Sequence, residues 1–226
     1  MIESSDICII LTSTINIKEQ KVGLFQKDKE KRLITYLKAI KQWIEKTNFR
    51  LILVENSGYL WPELNQYVEQ YSDRFIICSF NEELEKDADY LKLDQSKGCS
   101  EMFAIDYAYR NCELVNSSKY ILKITARYFI PELEGFLQNV PLEKCAALRQ
   151  KDENRCELVG CSPSFFDKVF YKYALDKDGN RQGHVENVYK YRINLLKSVK
   201  NLILICKEFT IEPTIRGGVN RKYTNI

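Results

Sequence analysis

Four side chains capable of ionic or hydroxyl chemistry gather where one short apolar run ends: Lys123, Thr125, Arg127 and Tyr128. The run, Tyr120 to Ile124, is β-branched at Ile121 and Ile124, and Pro131 follows the cluster, so the stretch reads as a buried strand. In open α/β sheets, ligands bind outside the carboxyl ends of the strands. Two cations and two hydroxyls at such an end suit an anion. The plainer reading is a strand whose Lys and Arg stems lie along apolar surface with their heads in water.

Comparable groups follow other apolar runs. Thr12-Ser13-Thr14 closes the run Ile7 to Leu11, and Glu55-Asn56-Ser57-Gly58 closes Arg50 to Val54. Either can grip a nucleoside, and either can simply cap a turn. Ser96-Lys97-Gly98-Cys99-Ser100-Glu101 opens a helical stretch running to about residue 116. Its first-turn amides, with Lys97 beside them, can receive an anion. Glu101 sits where an acid favours a helix start. The tail from Pro213 to Tyr223 joins the pair Gly217-Gly218 to Arg216, Arg221 and Lys222. Cations with glycine amides suit a diphosphate, whose growing charge as a leaving group must be neutralised. Glu186, in Gly183-His184-Val185-Glu186, is the candidate carboxylate for taking a proton from an acceptor hydroxyl. His184, the only histidine, is the alternative base. Against both stands the reading of Glu186 as a favourable acid in a helix first turn.

The elements that must position these groups follow from pattern. Leu33, Leu37, Ile40 and Ile44 recur at three- and four-residue spacing, predicting an amphipathic helix over about 29–47. A short helix over 62–72 and a strand over Arg74–Ser79 follow. Strand, helix, strand, helix, strand argues a parallel sheet with right-handed crossovers. The acidic stretch 81–96 reads as a solvated or ligand-covering loop, and Ala146–Arg149 with Glu157–Cys161 as a smaller antiparallel pair framing an acceptor site. Helices are expected over 163–174, with an aromatic stripe in the core, and over 183–198, then a last strand over 201–205. The expected whole is one α/β domain over 1–226, a three-layer sandwich around a mostly parallel sheet. Residues 1–125 would form a nucleotide-binding half, and 126–226 an acceptor half with its tail.

The 226 residues, 45% hydrophobic and 29% charged, have the composition of a soluble globular domain. A net charge of +3 gives no argument for nucleic acid or a polybasic membrane patch. No window reaches a membrane span. Eight cysteines without any Cys-x-x-Cys, and a single histidine, argue against zinc and for a reducing cytoplasmic compartment. Gly-x-x-x-x-Gly-Lys-Ser/Thr and Gly-x-Gly-x-x-Gly are both absent, which counts against P-loop and dinucleotide readings.

Five stretches together resemble small GT-A-type (Rossmann-like) glycosyltransferases of polysaccharide and glycan synthesis, as found in bacteria and large DNA viruses. They are Val54–Ser57, Ser96–Glu101, Leu122–Tyr128, Gly183–Glu186 and the tail from Gly217-Gly218 to Tyr223. The resemblance implies an inverting sugar transfer from a nucleotide-sugar donor to a glycan hydroxyl, on a lipid or protein acceptor, with the enzyme soluble or peripheral at a membrane. It implies that Thr12, Ser13, Thr14, Glu55, Asn56 and Ser57 hold the nucleoside. Lys97 would approach the nucleotide or diphosphate, or pair with Glu101. Lys123 and Arg127 would face the donor phosphates, Arg216, Gly217, Gly218 and Tyr223 would fold over them, and Glu186 would be the base. Most such enzymes hold Mn2+ or Mg2+ on an Asp-x-Asp at a strand end. The two literal matches here, Asp87-Ala88-Asp89 and Asp176-Lys177-Asp178, lie in a loop and a turn, and the expected position carries Lys-Ile-Thr-Ala-Arg. The expectation is therefore that side-chain cations replace the metal. A nucleotide-binding protein without transferase activity, another nucleotide-dependent transferase and an interaction module are the alternatives.

Overall fold

The computed structural model describes residues 2–17, 25–92, 96–198, 202–216 and 220–226. Seven strands build one sheet: β1 (Ile7–Ser13), β2 (Arg50–Glu55), β3 (Phe75–Ser79), β4 (Tyr120–Thr125), β5 (Cys145–Arg149), β6 (Leu158–Cys161) and β7 (Leu202–Ile205). Their order is β3-β2-β1-β4-β6-β5-β7, with β6 antiparallel to both neighbours and every other pairing parallel. The expected antiparallel pair exists, but it is no separate unit. β6 pairs with β4 from Ile121↔Cys161 to Ile124↔Leu158, so the pair continues the main sheet. Gly160 allows this: a Cβ there would stand 2.4 Å from the Leu122 side chain and 2.9 Å from the Ile121 carbonyl oxygen.

β1 is buried along its whole length and splits its side chains between two cores, as a strand covered on both faces must. Ile7, Ile9 and Leu11 pack in the core beneath α1 (Lys29–Lys46), α2 (Asn65–Gln70) and α4 (Leu133–Gln138). Cys8 and Ile10 pack in the core beneath α3 (Lys97–Asn111), α5 (Phe166–Phe170) and α6 (Val185–Ser198). The three layers match the expectation. The face of α1 is turned from the expected one: Arg32, Tyr36, Ala39, Ile40, Trp43 and Ile44 are buried, while Leu33 and Leu37 are only partly so. Two aromatic rings claim the deeper positions, which places a guanidinium on the apolar stripe. The helix expected over 163–174 is a 3-10 turn at Pro163–Phe165 followed by α5 alone, with Phe166 and Phe170 in the core.

The tail forms an antiparallel hairpin, β8 (Thr210–Ile215) with β9 (Lys222–Asn225). Phe209, Ile211 and Ile226 anchor it in the α1-side core. Gly217 and Gly218 lie outside the described residues.

Candidate functional site

Successive connections from β1 run through β2 to β3, then return to β4 on the other side of β1. The strand order therefore reverses between β1 and β4, and ligands of open α/β sheets bind at such a crevice. Thr12 and Thr125 are paired in register across it. Two polar networks organise this edge.

The first centres on Glu101, in the second turn of α3. Its Oε1 accepts from Thr12 Oγ1 at 2.6 Å and from Thr125 Oγ1 at 3.4 Å. Its Oε2 lies 3.0 Å from Lys123 Nζ. That ammonium also donates to the Cys156 carbonyl at 2.6 Å and to Thr125 Oγ1 at 3.5 Å. An ammonium has three donors, and these contacts use them all. The Lys123 side chain has no exposed surface. Burial works to lower its pKa, but Glu101 outweighs it and the value is raised. The expectation that Lys123 faces donor phosphates is therefore corrected: it sits inside the fold as the counter-ion of Glu101. Its strand is covered on both faces, so its stem cannot carry the charge to water.

The second network joins the loops after β1 and β2. Glu55, wholly buried, accepts from the amides of Ile15 at 2.8 Å, Ser57 at 2.9 Å and Tyr59 at 2.9 Å, and from the Ser57 hydroxyl. Burial raises its pKa against the pull of those donors. Thr14 Oγ1 donates to Asn56 Oδ1 at 2.6 Å, Asn56 Nδ2 to Glu82 Oε2 at 3.0 Å, and Ser100 Oγ to Glu82 Oε1 at 3.0 Å. Ser13 Oγ donates to the Val54 carbonyl at 2.9 Å. Among the residues expected to hold a nucleoside, Glu55 is thus corrected to a loop organiser, its oxygens filled by protein donors. Thr12, Ser13 and Asn56 are buried in the same networks, while Thr14 and Ser57 remain partly exposed at the rim.

The cations that do reach the edge come from two elements. Lys97 opens α3, and Arg216 follows β8. Burial lowers the Lys97 pKa, and the charges of Arg216 and Arg127 lower it further. Arg216 is held by Tyr223, whose hydroxyl accepts from Nη1 at 3.0 Å. It also stands 3.6 Å from Glu157 and 3.5 Å from Glu186. Those partners raise its pKa although burial opposes them. The expectation that Arg127 faces the donor phosphates is also corrected: it is turned toward α1, its guanidinium 5.2 Å from the Tyr36 ring centre and its Nη2 donating to the Tyr36 hydroxyl at 2.9 Å.

Glu186 reaches Lys97 and Arg216 because α6 begins directly against the start of α3. Ser96 Oγ donates to the Gly183 carbonyl at 2.8 Å, and a Cβ on Gly98 would stand 2.6 Å from both Val185 methyls. The helix starts approach this closely only with glycine at 98. Glu186 is partly exposed in the first turn of α6, and His184 is exposed just before it.

The two Asp-x-Asp matches stand elsewhere. Asp87 and Asp89 lie on a 3-10 turn, paired with Lys172 at 3.5 Å and Lys92 at 2.6 Å. Asp176 folds a turn by accepting from the amides of Asp178 and Asn180, each at 2.9 Å. At the end of β4 the side chains are Thr125, Ala126 and Arg127. A guanidinium cannot ligate a cation, so this donor set does not fit a divalent metal.

Sequence reasoning missed Arg32, Tyr36, Glu82 and Glu157. The signal for the first two was present: Arg32, Tyr36, Ile40 and Trp43 share one helical face by their spacing.

No protein-family model matches the sequence, and no curated protein does. Solved structures do resemble it. One is described as a nucleotide-diphospho-sugar transferase from Desulfovibrio desulfuricans G20, with a TM-score of 0.51 and 13% identity over 90% of this chain and 80% of that one. The glycosyltransferase GlyE of Streptococcus pneumoniae TIGR4 gives a TM-score of 0.49 at 7% identity, over 88% of this chain and 44% of that one. S. aureus TarS 1-349 gives 0.47 at 11% identity, over 96% of this chain and 60% of that one. The chain thus spans less than two thirds of the last two. The first likeness bears on the fold, which is the GT-A-type Rossmann-like sandwich.

Proposed function

We propose that the protein transfers a sugar from a nucleotide-sugar donor to a hydroxyl of a glycan acceptor, with inversion at the sugar carbon. The observation that carries this reading is the meeting of Lys97 and Arg216 with Glu186 at the β1–β4 crevice. Two cations from two elements suit a leaving nucleoside diphosphate, whose charge grows as the bond to the sugar breaks. Glu186 is the base. It takes the acceptor proton as the hydroxyl oxygen bonds to the anomeric carbon, and the electrons of the broken bond pass to the diphosphate.

Lys97 and Arg216 contact the diphosphate in this reading, Tyr223 positions Arg216, and Thr14 and Ser57 meet the nucleoside at the rim. The side-chain cations serve in place of a divalent ion. His184, exposed and one residue outside α6, is the less favoured base. Among the described residues no helix is long and apolar enough to cross a membrane. The eight cysteines are free thiols, which supports a reducing, cytoplasmic setting. The acceptor would be a glycan on lipid or protein.

Thermal unfolding against UDP, GDP, CMP and their sugar conjugates, each with manganese or EDTA, tests the donor site. A ligand at 100 times its Kd stabilises by about 2.7 kcal/mol. One nucleotide family should raise the midpoint, and do so equally in EDTA. Glu186→Gln should keep donor affinity and lose turnover. Failure of every nucleotide to shift the midpoint, or full turnover by Glu186→Gln, would overturn the proposal.

A further inference from the structure

An open cavity of mixed polar and apolar lining lies on the α1 side of the sheet. It measures about 300 Å³ and is lined by α1, the segment from Arg127 to Pro131 and the C-terminal hairpin. That volume is at the lower end of small-molecule sites. Lys38 and Glu212 form an ion pair between α1 and the hairpin at its edge. Arg127 and Lys222 add two further positive charges to the lining, giving an excess of cations.

The decisive group is Arg127. It is 7% exposed, yet it makes a single hydrogen bond to the described residues, from Nη2 to Tyr36. Its Nη1 is buried without any partner among them. Arg32, on the other side of the same phenol, differs. It donates to the Thr14 carbonyl at 2.9 Å, to the Gln26 carbonyl at 3.1 Å and to the Tyr36 hydroxyl at 3.2 Å. Two guanidiniums therefore flank one phenol, and neither has a carboxylate ion pair among the described residues. Burial raises the Tyr36 pKa, but Arg127 and Arg32 outweigh it and hold the phenol below the ordinary tyrosine value. A buried guanidinium with an unused donor is costly unless an acceptor meets it. The walls supply the rest of a sugar-sized site: apolar faces of Phe129 and Pro213 beside the polar groups of Thr35, Gln42 and Thr214.

We propose that this cavity binds the anionic group of a sugar phosphate or sugar acid, with Arg127 meeting the anion and Lys222 closing the mouth. This site is separate from the crevice of Lys97, Arg216 and Glu186, and it does not depend on the sugar-transfer reading.

The test is calorimetric titration of the full chain with glucose 6-phosphate, glucuronate and glucose. One of the two anions should bind at least tenfold more tightly than glucose, and which one does so tells phosphate from carboxylate. Arg127→Gln and Lys222→Glu should each weaken that affinity at least tenfold. Lys222 is exposed, so its variant remains informative if Arg127→Gln does not fold. Lys168→Ala, on α5 and outside both the cavity and the crevice, should leave the affinity within twofold. Equal binding of all three sugars, binding of none, or anion binding unchanged in Lys222→Glu would overturn the assignment.

Discussion

Replacing Glu101 by Gln asks directly whether Lys123 is a structural counter-ion or a ligand group. The Lys123 side chain is 0% exposed and that of Glu101 20%. Glu101→Gln keeps an oxygen for Thr12 but leaves the ammonium buried with no opposing carboxylate. Removing one partner of a buried pair costs about 3–5 kcal/mol. In a chain of this size that lowers the melting temperature by roughly 6–20 °C. Lys123→Met should cost less, because Glu101 can take up water where Lys123 cannot. The double variant should be more stable than Glu101→Gln alone.

The pH dependence gives a second, signed readout. In the wild type the folded-state pKa of Lys123 is raised above 10.5, so its contribution is complete below that value and is lost as pH climbs through the folded pKa. In Glu101→Gln, burial, the largest influence, is opposed only by Cys156 and Glu157, and the folded pKa falls. The unfolded chain then binds more protons, and the variant gains stability relative to wild type as pH rises from 7 toward 9.5. Urea unfolding at several pH values measures both effects. A Lys123→Met protein that unfolds like wild type but loses nucleotide affinity would refute the reasoning and return Lys123 to the donor site.

Other outcomes follow from the same geometry. Gly98→Ala should cost about 1–3 kcal/mol by overpacking against Val185, and Val185→Ala should restore most of it in denaturant titrations. Glu55→Gln presents an NH2 group to backbone amides and should cost about 2–3 kcal/mol. Because the Glu55 pKa is raised above 4.5, the folded state binds its proton more tightly than the unfolded one. The gap between wild type and Glu55→Gln should therefore widen as pH falls toward 4.5, as acid-range unfolding curves would record. Arg216→Ala should weaken donor binding roughly ten- to hundredfold, the worth of a lost charge-assisted hydrogen bond, with little change in melting temperature. Deleting residues 214–226 should instead destabilise the fold, since it removes β9 and the core side chain Ile226.

Much of the architecture was legible because long apolar runs have few alternatives. β1, β2, β3 and β4 were placed to within a residue or two, as were α1 and the start of α3. Gly98 and Glu186 stood in quoted motifs, though nothing local to either motif showed that the two helix starts touch. What stayed hidden was the destination of each charge. Lys123 and Arg127 look alike at the end of one strand, yet one is neutralised by Glu101 and the other turned onto Tyr36 with a donor left over. Both partners arrive from distant segments, and strand alternation alone does not identify them. The antiparallel pair was found, but its junction with β4 depends on the close approach at Gly160, which is a tertiary fact. The tail looked loose because of its glycines, while its order comes from Phe209 and Ile226 at its two ends.

The placement of charge at the crevice has a physical logic. A sheet edge rich in bare cations would repel itself, and a buried cation needs an acceptor before any ligand arrives. Here each candidate solves that need differently. Lys123 is neutralised by Glu101 and fixes α3 to β1 and β4 through Thr12 and Thr125. Arg216 is shared loosely between Glu157 and Glu186, at 3.6 and 3.5 Å, beyond ordinary hydrogen-bond length. An anion can draw such a guanidinium away at small cost, whereas it cannot draw out Lys123, whose donors are all engaged inside the fold. The distinction separates a charge that builds the edge from a charge that remains available at it. Hence Arg216 rather than Lys123 is the cation on which donor recognition should turn.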